Sequence, residues 1–192
     1  GTTKPMHVIP CGVELPPIAD EPEPGTVGFI GSLDFRPNQQ AVEWILDELW
    51  PRVVARAPEA RLTIAGSAPP AWLRRRVEIA SDVDDAAAFM RRMSVIIAPL
   101  FAGGGMRIKV LDAMALAKPI VATPLGAGGI DVHPGRDILI AEDAGEFGEA
   151  VVRLLRDPAA ATRIGNEARA MVAERYDSAR LARELLTFYA TL

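Results

Sequence analysis

From Thr26 onward, short apolar runs rich in β-branched residues alternate with longer stretches of helical periodicity, and this alternation constrains the fold of the 192-residue chain most strongly. The uninterrupted apolar character of the runs is typical of strands buried on both faces of a parallel sheet. The predicted strands are Thr26–Gly31, Arg61–Ala65, Val77–Ala80, Ser94–Pro99, Pro119–Thr123 and Asp137–Ile140. The predicted helices are Asn38–Ala57, Pro70–Arg76, Asp84–Met93, Met106–Ala117, Ala144–Arg156, Pro158–Tyr176 and Ser178–Thr191.

The order of these elements predicts the fold class. Strands that alternate with helices join through right-handed crossovers into an open, doubly wound parallel sheet. In the first predicted helix, an apolar stripe at helical spacing marks the face that meets the core: Ala41, Ile45, Leu49 and Val53. We therefore predict an α/β, Rossmann-like domain with about six strands flanked by helices. Such sheets bind ligands outside the carboxyl ends of their strands, so the turns after the strands are the places to search for a site.

The first 25 residues differ from the rest because they contain six prolines. Proline lacks an amide donor and fixes φ, which excludes a continuous helix or an inner strand. Residues 1–25 are predicted to form a linker or surface arm outside the core, and residues 26–192 are predicted to form one domain. A chain that opens in such a linker is expected to belong to something longer.

Composition limits the kinds of partner and the cellular compartment that we expect for this protein. Lys and Arg number 21 against 25 Asp and Glu, a net charge of −4, whereas nucleic-acid binders usually carry a basic surface. A single cysteine, Cys11, allows no internal disulfide and fits the reducing cytoplasm. No signal peptide is recognisable, and the longest apolar stretches are far shorter than the roughly 18 residues of a membrane span. The histidines and Cys11 lack metal-ligand spacing, so we expect a cytoplasmic protein that needs no metal or cofactor.

The turn after the fourth predicted strand is the strongest local signal. Gly103, Gly104 and Gly105 allow positive φ and close approach of a ligand. The following helix begins with about half a positive charge, and Arg107 and Lys109 add full charges there. Two cations at this helix end are unfavourable unless an anion faces them, and a phosphate is the natural candidate. The alternative is a tight connection with solvated charges, in which Lys109 pairs with Asp112 on the same helix face.

The turn after the first strand is a second candidate. Gly31 and Ser32 offer bare backbone and a hydroxyl, and the guanidinium of Arg36 offers a fork of donors for a phosphate. Asn38, which follows Pro37, is predicted to cap the next helix.

Other positions are weaker candidates. Val83 follows the third strand and is placed to lie against a flat ring, and Asp84 is placed to cap the helix after it. Asp112 offers a carboxylate to sugar hydroxyls. The P-loop and G-x-G-x-x-G fingerprints of common nucleotide sites are absent.

Taken in order, a strand, GSLDFRPN, a long helix and then IAPLFAGGGMRIKVLDAMALAKPIVATPLGAGGI resemble the carboxyl-terminal domain of GT-B glycosyltransferases, specifically family 4, glycosyl transferases group 1. The resemblance extends from His7, because VIPCGVE is similar to the family's Val-Ile-Pro-Asn-Gly-Val linker. It implies a domain that binds a nucleotide diphosphate sugar, the donor. It also implies that an amino-terminal domain, absent from this chain, holds the acceptor, and that a hexose is transferred with retention of configuration.

The resemblance also assigns roles to residues in the turns after the first and third predicted strands. Gly31 and Ser32 match the first glycine-rich loop, near the diphosphate. Arg36 and Asn38 lie where many members keep an Arg and a Lys that hold phosphates, so the Lys is missing here. Val83 matches the position that contacts the nucleobase through its backbone.

After the fourth predicted strand, the loop formed by Gly103, Gly104 and Gly105 matches the family's loop that faces the sugar and phosphates of the donor. Asp112 matches the second Glu of the family's paired-Glu motif, which binds ribose hydroxyls. The first Glu, which contacts the donor sugar, falls at Gly104 and is absent. This chain resembles a subset of the family that carries Gly-Gly-Gly-x-Arg-x-Lys before the acidic residue. That resemblance implies that Arg107 and Lys109 bind the anionic part of the donor.

No catalytic base is recognisable, so the resemblance implies an electrostatic mechanism in which the fragment alone binds nucleotide diphosphates but transfers nothing. The resemblance is also consistent with peripheral membrane association of the full-length enzyme. We expect no nucleic-acid partner. Two alternatives stay open. One is a GT-B-type nucleotide-sugar epimerase, which needs catalytic carboxylates not found in this half. The other is a non-catalytic or degenerate binding module, which Gly104 favours.

Overall fold

The computed structural model describes residues 6–18, 21–77, 79–80 and 85–190, and within them a six-stranded sheet forms the centre of the molecule. The strands are β1 (Thr26–Ile30), β2 (Arg61–Ala65), β3 (Ile79–Ala80), β4 (Val95–Ala98), β5 (Ile120–Ala122) and β6 (Leu139–Ile140). Their order is β3-β2-β1-β4-β5-β6, and every pairing is parallel. The predicted α/β, Rossmann-like class is confirmed, with each strand where the sequence predicted it.

The strand order reverses between β1 and β4. From β1 the chain crosses to β2 and β3 on one side, and then returns to add β4, β5 and β6 on the other. Thr26 to Ile30 of β1 pair with Arg61 to Ala65 of β2, while Val27 pairs with Val95 of β4. A doubly wound sheet leaves a crevice at such a switch point, outside the carboxyl ends of the strands.

The helices are α1 (Arg36–Trp44), α2 (Trp50–Arg56), α3 (Ala71–Arg74), α4 (Ala86–Arg92), α5 (Ile108–Ala115), α6 (Ala144–Arg156), α7 (Pro158–Arg175) and α8 (Ser178–Tyr189). A π-helical turn, Ile45–Leu49, joins α1 to α2, so the long helix predicted there is continuous but not uniformly α-helical. The wider turn lies just before Pro51, whose ring and missing donor do not fit regular α-helical bonding. No helix in the described ranges is long and apolar enough to cross a bilayer.

Two apolar clusters form the core, one on each face of the sheet. Along β4, Val95 and Ile97 belong to one cluster and Ile96 and Ala98 to the other, because successive strand side chains point to opposite faces. Helices α1, α2 and α6 cover the first face, and α4, α5 and α7 cover the second. The predicted helical stripe is confirmed, since all four of its members are fully buried: Ala41, Ile45, Leu49 and Val53.

Two sequence predictions fail at particular residues. The arm, residues 1–25, was expected to stay outside the core, but Val13 is buried in it. The amide of Val13 donates to the carbonyl of Tyr176 at 2.8 Å, and its own carbonyl accepts from the amide of Ser178 at 3.0 Å. These bonds to the α7–α8 junction satisfy both backbone polar groups of Val13, so that this residue can be buried. Asp85, not Asp84, caps α4 by accepting from two first-turn amides, because the helix starts later than predicted; Asp84 itself lies outside the described residues.

Candidate functional site

A cleft of about 560 Å³ opens at the carboxyl edge of the sheet, at the switch point between β1 and β4. The turns after β1, β2 and β4 and the start of α5 line it. Gly31, Ser32, Arg107 and Lys109, four of the residues predicted to bind a ligand, are in this lining. The structure therefore brings together the turn after β1 and the start of α5, 76 residues apart when counted from Gly31 to Arg107.

Glycines set the distance between the turns after β1 and β2. A Cβ atom on Gly66 would lie 2.0 Å from the carbonyl oxygen of Gly31, so only glycine permits this contact. The amide of Leu33 donates to the carbonyl of Ser67 at 2.9 Å, and the two hydroxyls of Ser32 and Ser67 lie 3.2 Å apart. The cleft therefore has a polar corner made of two serines.

Gly66 and Ser67, which form one half of this corner, were not among the residues predicted to bind a ligand. Their signal was available, since Gly66 and Ser67 directly follow a buried strand and so reach the same edge as the turn after β1. Phe35 was missed as well. It lines the cleft while half of its surface stays exposed.

The amino terminus of α1 lies at the cleft and has no side-chain cap. The helix begins at Arg36, with Phe35 in the cap position and a proline in the first turn. The prediction that Asn38 is the cap was wrong, because Pro37 favours the first helical turn and moves the start upstream. Asn38 instead lies inside the helix and donates from Nδ2 to the carbonyl of Ser32 at 2.8 Å, which fixes the turn after β1.

Helix α5 also begins at the cleft without a side-chain cap. Arg107 is in its cap position, and its first turn contains no acidic residue. Elsewhere an aspartate carboxylate accepts from first-turn amides of α4, α6, α7 and α8: Asp85, Asp143, Asp157 and Asp177. Within the described residues the first-turn amides of Arg36 and Lys109 donate to no other group, so each helix end at the cleft keeps one amide donor and the positive end of the helix dipole available to a ligand.

The three glycines Gly103, Gly104 and Gly105, here called the glycine loop, have the backbone freedom that the sequence predicts. Gly103 has φ +102° and Gly105 has φ +79°. Gly104 and Gly105 face open space, with no atom within 4 Å of a Cβ built on either. The loop lies outside the cleft lining itself, and the Arg107 side chain connects the two.

Arg107 lines the cleft but turns its guanidinium toward the backbone. Nη2 donates to the carbonyl of Gly103 at 2.9 Å, and Nη1 donates to that of Gly104 at 3.2 Å. Nε donates to the carbonyl of Leu125, in the turn after β5, at 3.1 Å. The side chain predicted to meet a phosphate is therefore engaged with three carbonyl oxygens.

Lys109 and Asp112 form the ion pair that the sequence analysis gave as the alternative. Nζ of Lys109 lies 3.2 Å from Oδ2 of Asp112, on one face of α5. Lys109 lines the cleft, whereas Asp112 does not. A partly exposed lysine with one weak partner is free to exchange that partner for a stronger anion.

Arg36 is not among the residues that line the cleft. Its guanidinium lies 3.0 Å from the carboxylate of Glu43 on the same helix. Val83 lies outside the described residues.

Perturbed ionisable groups lie elsewhere. Burial raises the pKa of Tyr176, and a hydrogen bond from Arg92 lowers the pKa of Glu23. Within the described part of the chain, no group of three or more His, Cys, Asp or Glu side chains is placed to hold a metal ion.

Comparison with known proteins gives a consistent family. The family model for glycosyl transferases group 1 matches residues 24–157. The phosphatidyl-myo-inositol mannosyltransferase of Mycolicibacterium smegmatis is 31% identical over an alignment that covers 96% of this chain and 51% of that protein. This chain spans 42% to 53% of the length of the curated relatives it matches.

Solved structures show the same fold. A mutant of S. aureus TarM, in complex with Fondaparinux, alpha-GlcNAc-glycerol and UDP, superposes with a TM-score of 0.75 at 15% identity, over 92% of this chain and 38% of that one. The C-terminal domain of the glycosyl transferase group 1 family protein LpcC from Francisella tularensis gives a TM-score of 0.64 at 15% identity, over 82% of this chain and 89% of that one. The narrower assignment to family 4 stays a prediction. The chain belongs to the glycosyl transferases group 1 family, and its fold is that of the GT-B glycosyltransferases.

Proposed function

We propose that this chain is the donor-binding domain of a glycosyltransferase and that the cleft holds a nucleotide diphosphate sugar. The observation that carries the proposal is the meeting of two uncapped helix ends, those of α1 and α5, at one cleft whose wall includes Lys109. Each helix end carries about half a positive charge together with one first-turn amide, that of Arg36 in α1 and that of Lys109 in α5, that donates to no other group in the described part of the chain. A diphosphate supplies the negative charge and the acceptor oxygens that this arrangement lacks.

The hydroxyls of Ser32 and Ser67 extend the anion site with neutral donors. Both are exposed to the cleft, and Ser32 already donates to the carboxylate of Asp34 at 2.6 Å. A hydroxyl rotates easily, so either serine can turn toward a phosphate oxygen. Lys109 gives up its pairing with Asp112 when the diphosphate enters.

In the whole protein, the reaction is transfer of a hexose from this donor to an acceptor held by a second domain, with retention of configuration. Support for a hexose comes from the mannosyltransferase relative, and support for a nucleoside diphosphate comes from UDP in the TarM complex. The catalytic contribution of this chain is electrostatic. Lys109 and the helix ends stabilise the negative charge that develops on the departing diphosphate. A cytoplasmic location and independence from metals stay predictions of the sequence.

Calorimetric titration of this chain with UDP, GDP and ADP tests the proposal. We expect binding heat with at least one diphosphate and no sugar transfer by the chain alone. Absence of heat with all of them at millimolar concentration would contradict the donor site.

A non-catalytic binding module is the second candidate, because Gly104 occupies the position where the family resemblance places a sugar-contacting Glu. In the structure this position faces open space and carries no side chain. The full-length protein separates the two functions. Turnover of any donor in a panel of nucleotide sugars supports the enzyme, whereas binding without turnover supports the module.

A further inference from the structure

We propose that Arg107 is a positioning residue that fixes the glycine loop for the donor and is not itself a ligand of the diphosphate. The inference rests on the proposed function, since the donor is the molecule that the loop would meet. It differs from the interpretation drawn from the sequence, in which Arg107 supplies a charge to the anion.

The geometry of the guanidinium carries the argument. Each of its three nitrogens donates to a main-chain carbonyl oxygen, two in the glycine loop and one at Leu125. The planar fork of an arginine has five donors in fixed directions. A side chain that uses three of them on carbonyl groups is oriented by the loop and holds it in return.

Because peptide groups are planar, the contacts of Arg107 also fix the direction in which the amides of Gly104 and Gly105 point. In a trans peptide the carbonyl and the following N–H point in opposite directions, and no cis peptide occurs in the described residues. Because the carbonyls of Gly103 and Gly104 face the guanidinium, the amides of Gly104 and Gly105 face away from it. Neither amide donates to another group within the described ranges, and both residues border open space. Arg107 thus neutralises the carbonyl side of the loop and leaves its donor side facing outward.

A second contact holds the same corner together. Gly129, at φ +80°, lies so close to Met106 that a Cβ atom on it would be 2.9 Å from the Met106 Cα. The turn after β5 therefore packs directly on the residue that precedes Arg107. Three successive glycines lose much conformational entropy when ordered, so a loop of this composition needs such ties to keep one shape.

The experiment compares Arg107→Lys, Arg107→Ala and, as a matched control, Lys109→Ala in the 192-residue chain. Lysine keeps the charge but loses the fork. We expect both Arg107 variants to show faster hydrogen exchange at residues 103–106 and 126–129 in the ligand-free chain. We also expect both to bind UDP about tenfold more weakly, because the donor must then order a glycine loop that the charge-assisted bonds from Arg107 no longer hold. Lys109→Ala should weaken UDP binding while leaving this exchange unchanged.

The outcomes distinguish a failure of the positioning role of Arg107 from a failure of the proposed donor binding. If Arg107→Lys binds UDP as tightly as the unaltered chain, charge alone suffices and the positioning role is overturned. Unchanged loop exchange in both variants overturns it as well, and so does faster exchange with unchanged UDP affinity. If the unaltered chain binds no nucleotide, the proposed function fails, and the positioning of a donor fails with it, while the exchange data still report whether Arg107 holds the loop. Thermal unfolding checks that each variant is folded, and Arg107→Gln replaces any variant that is not.

Discussion

Replacing Lys109 with alanine should weaken ligand binding while leaving the stability of the fold almost unchanged. In the ligand-free chain, Nζ of Lys109 contacts only the carboxylate of Asp112 among the bonds described, at 3.2 Å, and the two side chains keep 53% and 30% of their surface exposed. An exposed pair three residues apart on a helix stabilises it by only about 0.2–0.5 kcal/mol. The melting temperature of Lys109→Ala should therefore fall by less than about 2 °C.

The loss of UDP affinity should be much larger. A charge-assisted hydrogen bond to a phosphate contributes about 1.5–3 kcal/mol. Leaving Asp112 costs the lysine about 0.2–0.5 kcal/mol of this gain, so roughly 1–2.5 kcal/mol remain. The dissociation constant for UDP should rise by about 5- to 70-fold.

Calorimetry and thermal unfolding of the same samples measure both quantities. Arg153→Ala removes an exposed cation of α6 that does not line the cleft, and it should bind UDP like the unaltered chain. The reasoning is refuted if Lys109→Ala changes UDP affinity less than twofold, or if Arg153→Ala weakens binding as much as Lys109→Ala does.

Three further predictions concern stability. Tyr176→Phe should cost about 0.5–1.5 kcal/mol of unfolding free energy in chemical denaturation, because it removes the hydroxyl that the amide of Asp131 now meets at 2.9 Å. Asp143→Ala should cost about 1 kcal/mol by the same assay, because the carboxylate caps α6 by accepting from two first-turn amides. Arg92 lowers the pKa of Glu23, so their pairing should stabilise the fold above the ordinary glutamate pKa of about 4.3 and be lost as the pH falls through the lowered value. In an NMR titration, Arg92→Ala should raise the pKa of Glu23, and an unchanged value would contradict this pairing.

Much of the fold is predictable because its signals are local. The strands are short apolar runs between helices of recognisable period, and right-handed crossovers leave few ways to connect them. The predictions that failed also have physical causes. Val13 is buried by a backbone pairing with the α7–α8 junction, which depends on residues more than 160 positions away and leaves no local pattern.

The candidate site was only partly predictable. The placement of Gly31, Ser32, Arg107 and Lys109 at one cleft follows from strand topology. The direction of a long side chain does not, because it depends on which acceptors the tertiary structure brings near. The carbonyl of Leu125, which receives a bond from Arg107, is in another turn.

Donor binding at the switch-point cleft is tested most directly by mapping a UDP titration of the chain on its backbone amide NMR signals. We expect saturable shifts at Ser32, Ser67, Gly104 and Lys109, on the turns that meet at the carboxyl edge of the sheet. Shifts confined to the separate hollow beside α7, around Pro158 and Asn166, would contradict it, as would saturation without any change at the start of α5.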